Sequence, residues 1–552
     1  MDISTLKKLL TECSVSELEN HLEGSILDSL EALNIKFTPS GLSTALITCY
    51  GYRFFYQKSL RKLLIKKLPK EDLRHLIKNF KPSNEILSIE TKDEIIDLLN
   101  NFTWGNNAKS KILLDLLNLD YELFIQLRRT KSPSKEIISP INQNNIKDWQ
   151  FLLHSYQESI RKEITSFLIG NKKKLIVHMP TGAGKTRTMM ESLCDFYRMT
   201  PKNNLLTVWM AYSDELCSQA VESFQERWQL RGTEQVQLVR FWGGRKIPEI
   251  DVSKPTLVIT SFDTCYSALS SKNNDTFSFF AKLKRSNALT IVDEAHQAPA
   301  PTYADAINSI TGQAKLIGLT ATPGRGGGEE GNKVSDFFEK NKITLRGDFA
   351  NPTPIKYLQN QNVLSDVTYY ELEGSKLEID QKHWEYIQKE LKIPDEISQI
   401  IAEDTSRNIS IIQQIIELAD KDKQTIVFAV SVLHAQLLTI CLKTQGIKAA
   451  CIEGATPYAE RVDGIERFKQ CKLNVLINYG VLTTGFDAPK TDAVVIARPT
   501  LSVVLYSQML GRGIRGLNMG GTKDCIIVNV KDNFLNLPGV DQAFTFFEND
   551  WS

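Results

Sequence analysis

Leu and Ile recur at three- and four-residue spacing in LKKLLTEC, VSELENHLEGSILDSLEAL, KDEIIDLLNNF and SKILLDLLNLDYELFIQL, with Ser, Pro, Gly or Asn between the runs. That period gathers apolar side chains on one face of each segment and predicts short amphipathic helices, hence a helical accessory domain over residues 1–130. The polar stretch KSPSKEIISPINQNNIKD (131–148), with two Ser-Pro steps, reads as a linker.

From residue 149 the rhythm changes to short, nearly continuous β-branched runs separated by helical patterns. LIVHM (175–179), LTVWM (206–210), QLVRF (237–241), TLVITS (256–261), ALTIVD (288–293) and KLIGLT (315–320) predict strands of one α/β domain over 149–345. QTIVFAV (424–430), AACIEG (449–454), NVLINYG (474–480), AVVIA (493–497) and CIIVNV (525–530) predict a second over 424–552. Runs apolar at every position fit parallel strands covered by helices on both faces. The fold class is α/β, two tandem parallel-sheet domains after a small all-helical one. The glycine-rich GRGGGEEGNK (324–333) predicts a mobile loop. Residues 346–423 form a connecting segment leading into the second domain, with a strand at VTYYELEG (367–374) and a helix near TSRNISIIQQIIELAD (405–420).

Composition changes this picture little. A chain of 552 residues needs several cores, and 42% hydrophobic with 24% charged residues is ordinary for globular material. A net charge of +1 does not demand an extended nucleic-acid footprint, yet allows a locally basic cleft. The nine cysteines contain no CxxC pair, which favours reduced thiols over a zinc knuckle or iron–sulfur cluster. No run of eighteen apolar residues occurs, and MDISTLKKLLTECSVSELEN resembles neither a signal peptide nor an anchor, so no membrane partner and a cytoplasmic location are expected.

The chemistry begins at MPTGAGKT (179–186), between a strand and a helical run. Thr181, Gly182, Ala183 and Gly184 form a loop whose N–H groups can curl around a polyphosphate. Lys185 reaches the outer phosphates, Thr186 offers its hydroxyl to magnesium, and the helix amino terminus adds favourable charge. LTIVDEAH (289–296) ends a strand in carboxylates. Asp293 is suited to hold magnesium and Glu294 to take a proton from attacking water. YSQMLGRGIRG (506–516) sets Arg512 and Arg515 three positions apart among glycines, aimed at an anion.

GAGKT (182–186), DEAH (293–296), TATP (320–323) and QMLGRGIRG (508–516), in that order, resemble the motifs of superfamily 2 helicases, specifically DEAD/DEAH-like enzymes of the restriction-subunit branch, over about residues 150–535. The resemblance implies two tandem RecA-like domains, ATP and Mg2+ as cofactors, and a nucleotide site split between the domains. Gln157, in HSYQ (154–157), resembles the glutamine near the adenine, or is a surface polar residue. His296 resembles the residue linking the carboxylates to the other lobe. Thr320 and Thr322 resemble the pair that couples nucleotide state to the strand-binding face. Gln508 resembles a nucleotide sensor, and Arg512 and Arg515 resemble arginine fingers. LTTGFDAP (482–489) resembles the motif that joins nucleotide and strand binding in the second lobe, or is a simple turn before Pro489; the resemblance implies that Gly485 permits a tight backbone course, Asp487 contacts the ribose or the interdomain network, and Thr483 holds backbone phosphate. Tyr212 and Ser213 stand where such enzymes usually carry a proline before a phosphate contact. Thr260 and Ser261 resemble hydroxyl donors to a strand.

The activity implied is that of an ATP-dependent DNA helicase or translocase. An RNA helicase remains the enzyme alternative, because phosphate grips do not distinguish sugars. A third reading is an ATP-switched DNA-recognition scaffold that controls a partner nuclease. No nuclease constellation is visible, and the resemblance points to phage defence or DNA repair. Trp242 in FWGGRK (241–246) reads as a base-stacking or a packing side chain. Residues 61–81 carry eight Lys/Arg against two acids, and read equally as a duplex-contacting face, a docking site or a solvated helix face.

Overall fold

A computed structural model describes residues 4–32, 34–80, 91–119, 124, 133–140, 153–200, 205–251, 253–271, 274–324, 329–345, 353–390, 393–481, 488–532 and 546. Two sheets flanked by helices carry the α/β architecture, and a helical region precedes them. The strands are β1 (Lys135–Ile138), β2 (Lys174–His178), β3 (Leu206–Ala211), β4 (Val236–Phe241), β5 (Thr256–Ser261), β6 (Asn287–Asp293), β7 (Lys315–Thr320) and β8 (Lys342–Thr344) in the first sheet. β9 (Asp366–Glu373), β10 (Thr425–Phe428), β11 (Ala449–Ile452), β12 (Val475–Asn478), β13 (Ala493–Ile496) and β14 (Asp524–Lys531) form the second.

The first sheet runs β1-β4-β5-β3-β6-β7-β2-β8, parallel except for β1 against β4. The second runs β11-β12-β10-β13-β14-β9 and is parallel throughout. β3, β4 and β5 are buried at every position, as strands covered on both faces should be. β2, β7 and β6 are neighbours, so the turns at their carboxyl ends lie side by side. Those turns begin the phosphate loop, the TATP run and the DEAH run.

Three local expectations change. Part of the stretch read as linker is the edge strand β1, held by Arg240 Nη2 to Glu136 Oε1 at 2.6 Å. Part of the segment read as a mobile glycine loop is helix Glu329–Phe337, Gly331 included, while residues 325–328 lie outside those described. The three-residue β8 was not anticipated.

The helical region folds around its own core of Leu6, Leu10, Leu46, Phe54, Leu64, Leu99 and Leu113. It docks on the second sheet's helices. Ile26, Leu30 and Ala45 join the core that holds Ile411, Leu438 and Val495. Lys443 Nζ donates to Thr48 Oγ1 at 3.2 Å, and Arg53 pairs with Glu453 at 2.9 Å. The basic run 61–81 is not a uniform cationic face. Arg61 is 1% exposed and donates to the carbonyls of Phe55 and Asn100, Lys62 pairs with Asp97, and Lys67 pairs with Glu17. Among the described residues no helix is long and apolar enough to cross a membrane.

Candidate active site

The phosphate loop leaves β2 and enters helix Lys185–Met199 with Gly182 and Gly184 at φ of +86° and +79°. Side chains rarely adopt that backbone. At Gly184 a Cβ would also sit 2.3 Å from Gln157 Nε2 and displace that amide. Gln157 is wholly buried; its Oε1 accepts from the His154 N–H at 3.0 Å and its Nε2 donates to the Ala183 carbonyl at 3.1 Å. The surface alternative for Gln157 is therefore ruled out, and its amide is engaged with the loop itself. Tyr156 was not singled out from sequence, yet its hydroxyl donates to the same Ala183 carbonyl at 2.9 Å. Two adjacent side chains thus clamp one peptide of the loop.

The carboxylates lie two strands away. Asp293 is 5% exposed, and its Oδ1 accepts the Glu294 N–H at 3.0 Å. Glu294 sits at φ +50°, an uncommon setting for a side-chain-bearing residue, which turns its carboxylate out of the strand direction. Glu294 Oε2 lies 3.5 Å from His296 Nδ1, and that nitrogen lies 3.3 Å from Thr320 Oγ1. Thr320 in turn donates to the Thr322 carbonyl at 2.8 Å and accepts the Thr322 N–H at 3.1 Å. DEAH and TATP form one hydrogen-bonded unit inside the first lobe.

The second lobe brings its arginines to this place. Gly511 packs so closely that a Cβ there would lie 2.1 Å from Thr181 Cγ2, and Arg515 Cγ would lie 3.6 Å from a Cβ on Gly182. A Cβ at Gly513 would meet Val494 and Cys525, and one at Gly516 the Asn362 carbonyl at 2.3 Å. The glycines around the arginines are thus required by close approach on three sides. Gln508, 8% exposed, belongs to helix Val503–Leu510, which ends at this loop.

Charge follows the geometry. Burial lowers the Lys185 pKa; Glu294 and Asp293 oppose that shift, and Arg512 and Arg515 add to it. Burial, and next the Glu294 charge, raise Asp293 to about 7, against the pull of Lys185. Three cationic side chains and two carboxylates therefore share one partly dehydrated space. An excess of positive charge beside the glycine loop fits a polyphosphate, and the carboxylate pair Asp293 and Glu294 fits a hard divalent cation.

The expected strand contacts divide. Tyr212 is 42% exposed and meets Tyr303 edge-on, ring centroids 6.1 Å apart. Ser213 caps helix Asp214–Arg231, accepting the Leu216 N–H. Thr260 and Ser261 correct the reading as hydroxyl donors. They are 1% and 3% exposed; Thr260 donates to the Phe241 carbonyl at 2.7 Å, and Ser261 caps helix Phe262–Ser270. The strand runs buried to its last residue, so those hydroxyls are consumed internally. Trp242 is 4% exposed beneath the Arg245 guanidinium, 4.7 Å from the ring centroid, and packs rather than projects. Thr483, Gly485 and Asp487 lie outside the described residues. Sequence reasoning also missed an ion pair between the lobes, Arg461 Nη1 to Glu215 Oε1 at 3.0 Å.

Comparison with known proteins agrees with this layout. Residues 150–325 match the family described as type III restriction enzyme, res subunit, and residues 407–517 match the helicase conserved C-terminal domain. A 51.5 kDa protein of a Lactococcus phage is 28% identical over 276 residues, covering 48% of this chain and 55% of that one. IRC3 of Saccharomyces cerevisiae, named there as a candidate ATP-dependent helicase, is 24% identical over 72% of this chain and 52% of its own length. The corresponding mitochondrial protein of Schizosaccharomyces pombe is 26% identical over 72% and 61%. The chain thus spans little more than half the length of the curated relatives it matches. With its paired domains and ordered motifs, this chain belongs to the superfamily 2 helicases, carrying a type III restriction res-subunit domain followed by a helicase C-terminal domain.

Proposed function

We propose that this chain is an ATP-driven motor on DNA, a helicase or translocase built from two RecA-like lobes. The observation that carries the reading is the convergence of Lys185, Asp293 and Glu294 from one lobe with Arg512 and Arg515 from the other. Neither half alone supplies both an acceptor for the water proton and enough positive charge for a departing phosphoryl group.

Thr181 to Gly184 and Lys185 hold the outer phosphates of ATP, while Gln157 and Tyr156 keep the loop in its binding shape. Thr186 and Asp293 would hold Mg2+, which would offset phosphate charge there. Glu294 takes the proton of the attacking water; the new bond forms to the terminal phosphorus, the bond to the bridging oxygen breaks, and ADP and phosphate remain. Arg512 and Arg515 offset the charge that develops, and Gln508 lies beside them. His296, Thr320 and Thr322 pass the state of Glu294 towards the strand face. There Tyr212, the capped start of helix Asp214–Arg231 and that of helix Phe262–Ser270 meet backbone phosphate, the last through N–H groups rather than the Thr260 and Ser261 hydroxyls. Thr483 holds backbone phosphate for the second lobe, and Gly485 and Asp487 serve the nucleotide. Cycles of closure and opening then change the spacing of the two grips. Membership of the res-subunit family supports a nuclease partner and a role in phage defence or DNA repair.

ATP turnover measured without nucleic acid and with single-stranded DNA, duplex DNA or single-stranded RNA tests the reading. DNA is expected to stimulate it; stimulation by RNA alone turns the motor into an RNA helicase. DNA stimulation without strand displacement leaves a translocase or a switch that governs a nuclease. Glu294→Gln is expected to bind ATP and not turn it over, and near-normal turnover removes Glu294 as the base.

A further inference from the structure

The arginine loop is held partly by its own bonds, the Gly513 N–H to the Leu510 carbonyl at 3.0 Å and the Thr522 N–H to the Arg515 carbonyl at 2.8 Å, and partly by a segment far upstream. Residues 362–365, 150 positions upstream of it, run antiparallel beside it, with Leu364 and Arg515 opposite one another as a bridge pair. The Ser365 N–H donates to the Ile514 carbonyl at 3.1 Å, the Gly516 N–H to Val363 at 2.9 Å, and the Asn518 N–H to Asn362 at 2.8 Å. The wholly buried Ser365 hydroxyl lies 2.7 Å from the carbonyls of both Arg515 and Thr522, able to donate to either. It therefore ties the outgoing limb of the loop to the returning one. Leu364, 2% exposed, also reaches across the cleft, with Cδ2 3.3 Å from the Cβ position of Gly182. One short segment touches both the phosphate loop and the backbone of Arg515.

We propose that Leu364 and Ser365 are positioning residues for Arg515. Ser365 locks the course of the arginine loop, and Leu364 is the spacer that sets its distance from the phosphate loop. An arginine side chain is long and jointed, so where its guanidinium can rest depends on where its backbone is held. That backbone is held here by main-chain pairing with the segment joining the two lobes, so lobe closure and arginine placement are one movement. The inference rests on the reading of Arg515 as the group that offsets charge on the transferred phosphoryl.

The test compares wild type, Leu364→Ala, Leu364→Met, Arg515→Ala and the double variant Leu364→Ala/Arg515→Ala in nucleic-acid-stimulated ATP turnover. Misplacement without loss of the group predicts that Leu364→Ala lowers kcat on the order of 10- to 100-fold. Its KM for ATP should stay within about twofold, because uniform binding is untouched. Leu364→Met, which conserves volume, should restore most of the rate. In the Arg515→Ala background, Leu364→Ala should cause no further loss of kcat, a result that a merely structural role would not give. Wild-type kcat in Leu364→Ala, or losses that multiply in the double variant, overturn the positioning role alone. Wild-type turnover in Arg515→Ala overturns the reading of the site beneath it. Should Leu364→Ala fail to fold, Ser365→Ala removes a single oxygen and is read by the same cycle with Arg515→Ala.

Discussion

The two halves of the nucleotide cleft are built in opposite ways. In the first lobe the phosphate loop, the TATP run and the DEAH run each follow directly from a strand, and β2, β7 and β6 are adjacent. Their geometry comes from the sheet, and each motif is contiguous in sequence. In the second lobe the arginine loop hangs between helix Val503–Leu510 and β14, and is given its course by pairing with residues 362–365. The first half is rigid by inheritance from a parallel sheet, whereas the second is only as well placed as a long-range contact makes it. A site split this way can be opened and shut without disturbing its acidic half.

The largest effects should come from removing charge on either side. Lys185→Ala and Arg512→Ala are each expected to cut turnover on the order of 10²- to 10³-fold. They should part in binding: Lys185→Ala weakens ATP affinity, whereas Arg512→Ala leaves it nearly intact, because the arginine acts mainly as charge develops. Titration with a fluorescent ATP analogue beside steady-state turnover separates the two. Equal loss of affinity in both variants would mean that the arginine half is already engaged in the resting complex, against the contrast drawn above.

Glycine substitutions test the same contrast through packing. A Cβ at Gly516 would meet the Asn362 carbonyl oxygen at 2.3 Å, a backbone atom within the paired segment, with no side chain to move aside. Gly516→Ala should therefore destabilise the second lobe by about 2 kcal/mol or more. A Cβ at Gly511 would meet the Thr181 side chain across the cleft, and the lobes can relieve that clash by parting. Gly511→Ala is expected to keep the wild-type Tm and lose turnover. Thermal unfolding and kcat measured on both variants decide it; a fall in Tm for Gly511→Ala equal to that for Gly516→Ala would make the two contacts alike.

What the sequence disclosed follows the same division. TLVITS and KLIGLT are strands at the predicted limits, and the other long apolar runs differ by a few residues at their ends, because burial on both faces leaves a strong local signal. β1 and β8 escaped notice, one a polar KEII run and the other three residues long. Lys185, Asp293 and Glu294 were legible as contiguous chemistry. Leu364 and Ser365 were not, since QNVLS carries no signature and its importance arises only from what folds onto it. Thr260 was misread for a related reason: a hydroxyl at a strand end looks the same whether it faces a strand of DNA or the Phe241 carbonyl. The docking of the helical region on the second lobe was equally invisible, because nothing in the residues of helix Pro39–Tyr50 names the surface that covers them.

The second lobe also carries an acid-sensitive point. Burial, then the charge of Arg407, holds His434 down at about 3, and its Nδ1 accepts the Val430 N–H at 3.1 Å, as only a neutral ring can. The unfolded chain takes up that proton near the ordinary histidine value, so between about pH 6.5 and 3 it binds more protons than the folded one. Stability present above about pH 6.5 is lost as the pH falls, by up to about 1.4 kcal/mol per pH unit. Denaturant unfolding at pH 7.5 and 5.5 should show the slope, and His434→Asn should flatten it. An unchanged slope in that variant assigns the sensitivity elsewhere.

The smallest effect is expected at Arg461 and Glu215, which join helix Tyr458–Lys469 of the second lobe to helix Asp214–Arg231 of the first. Glu215 is 43% exposed at its side chain, so water and salt screen the pair, and its loss should cost at most about 1 kcal/mol. That still shifts the ratio of closed to open lobes by up to roughly fivefold. Energy transfer between one dye on each lobe should therefore report fewer closed molecules for Glu215→Gln at low salt and no difference from wild type at high salt. Arg461 has a second attachment, donating to the Gly454 carbonyl at 3.2 Å, so replacing it also loosens the loop on its own lobe. Arg461→Ala should consequently differ from wild type at high salt as well, whereas Glu215→Gln should not. If the closed fraction of Glu215→Gln matches wild type at every salt concentration, the pair takes no part in closure.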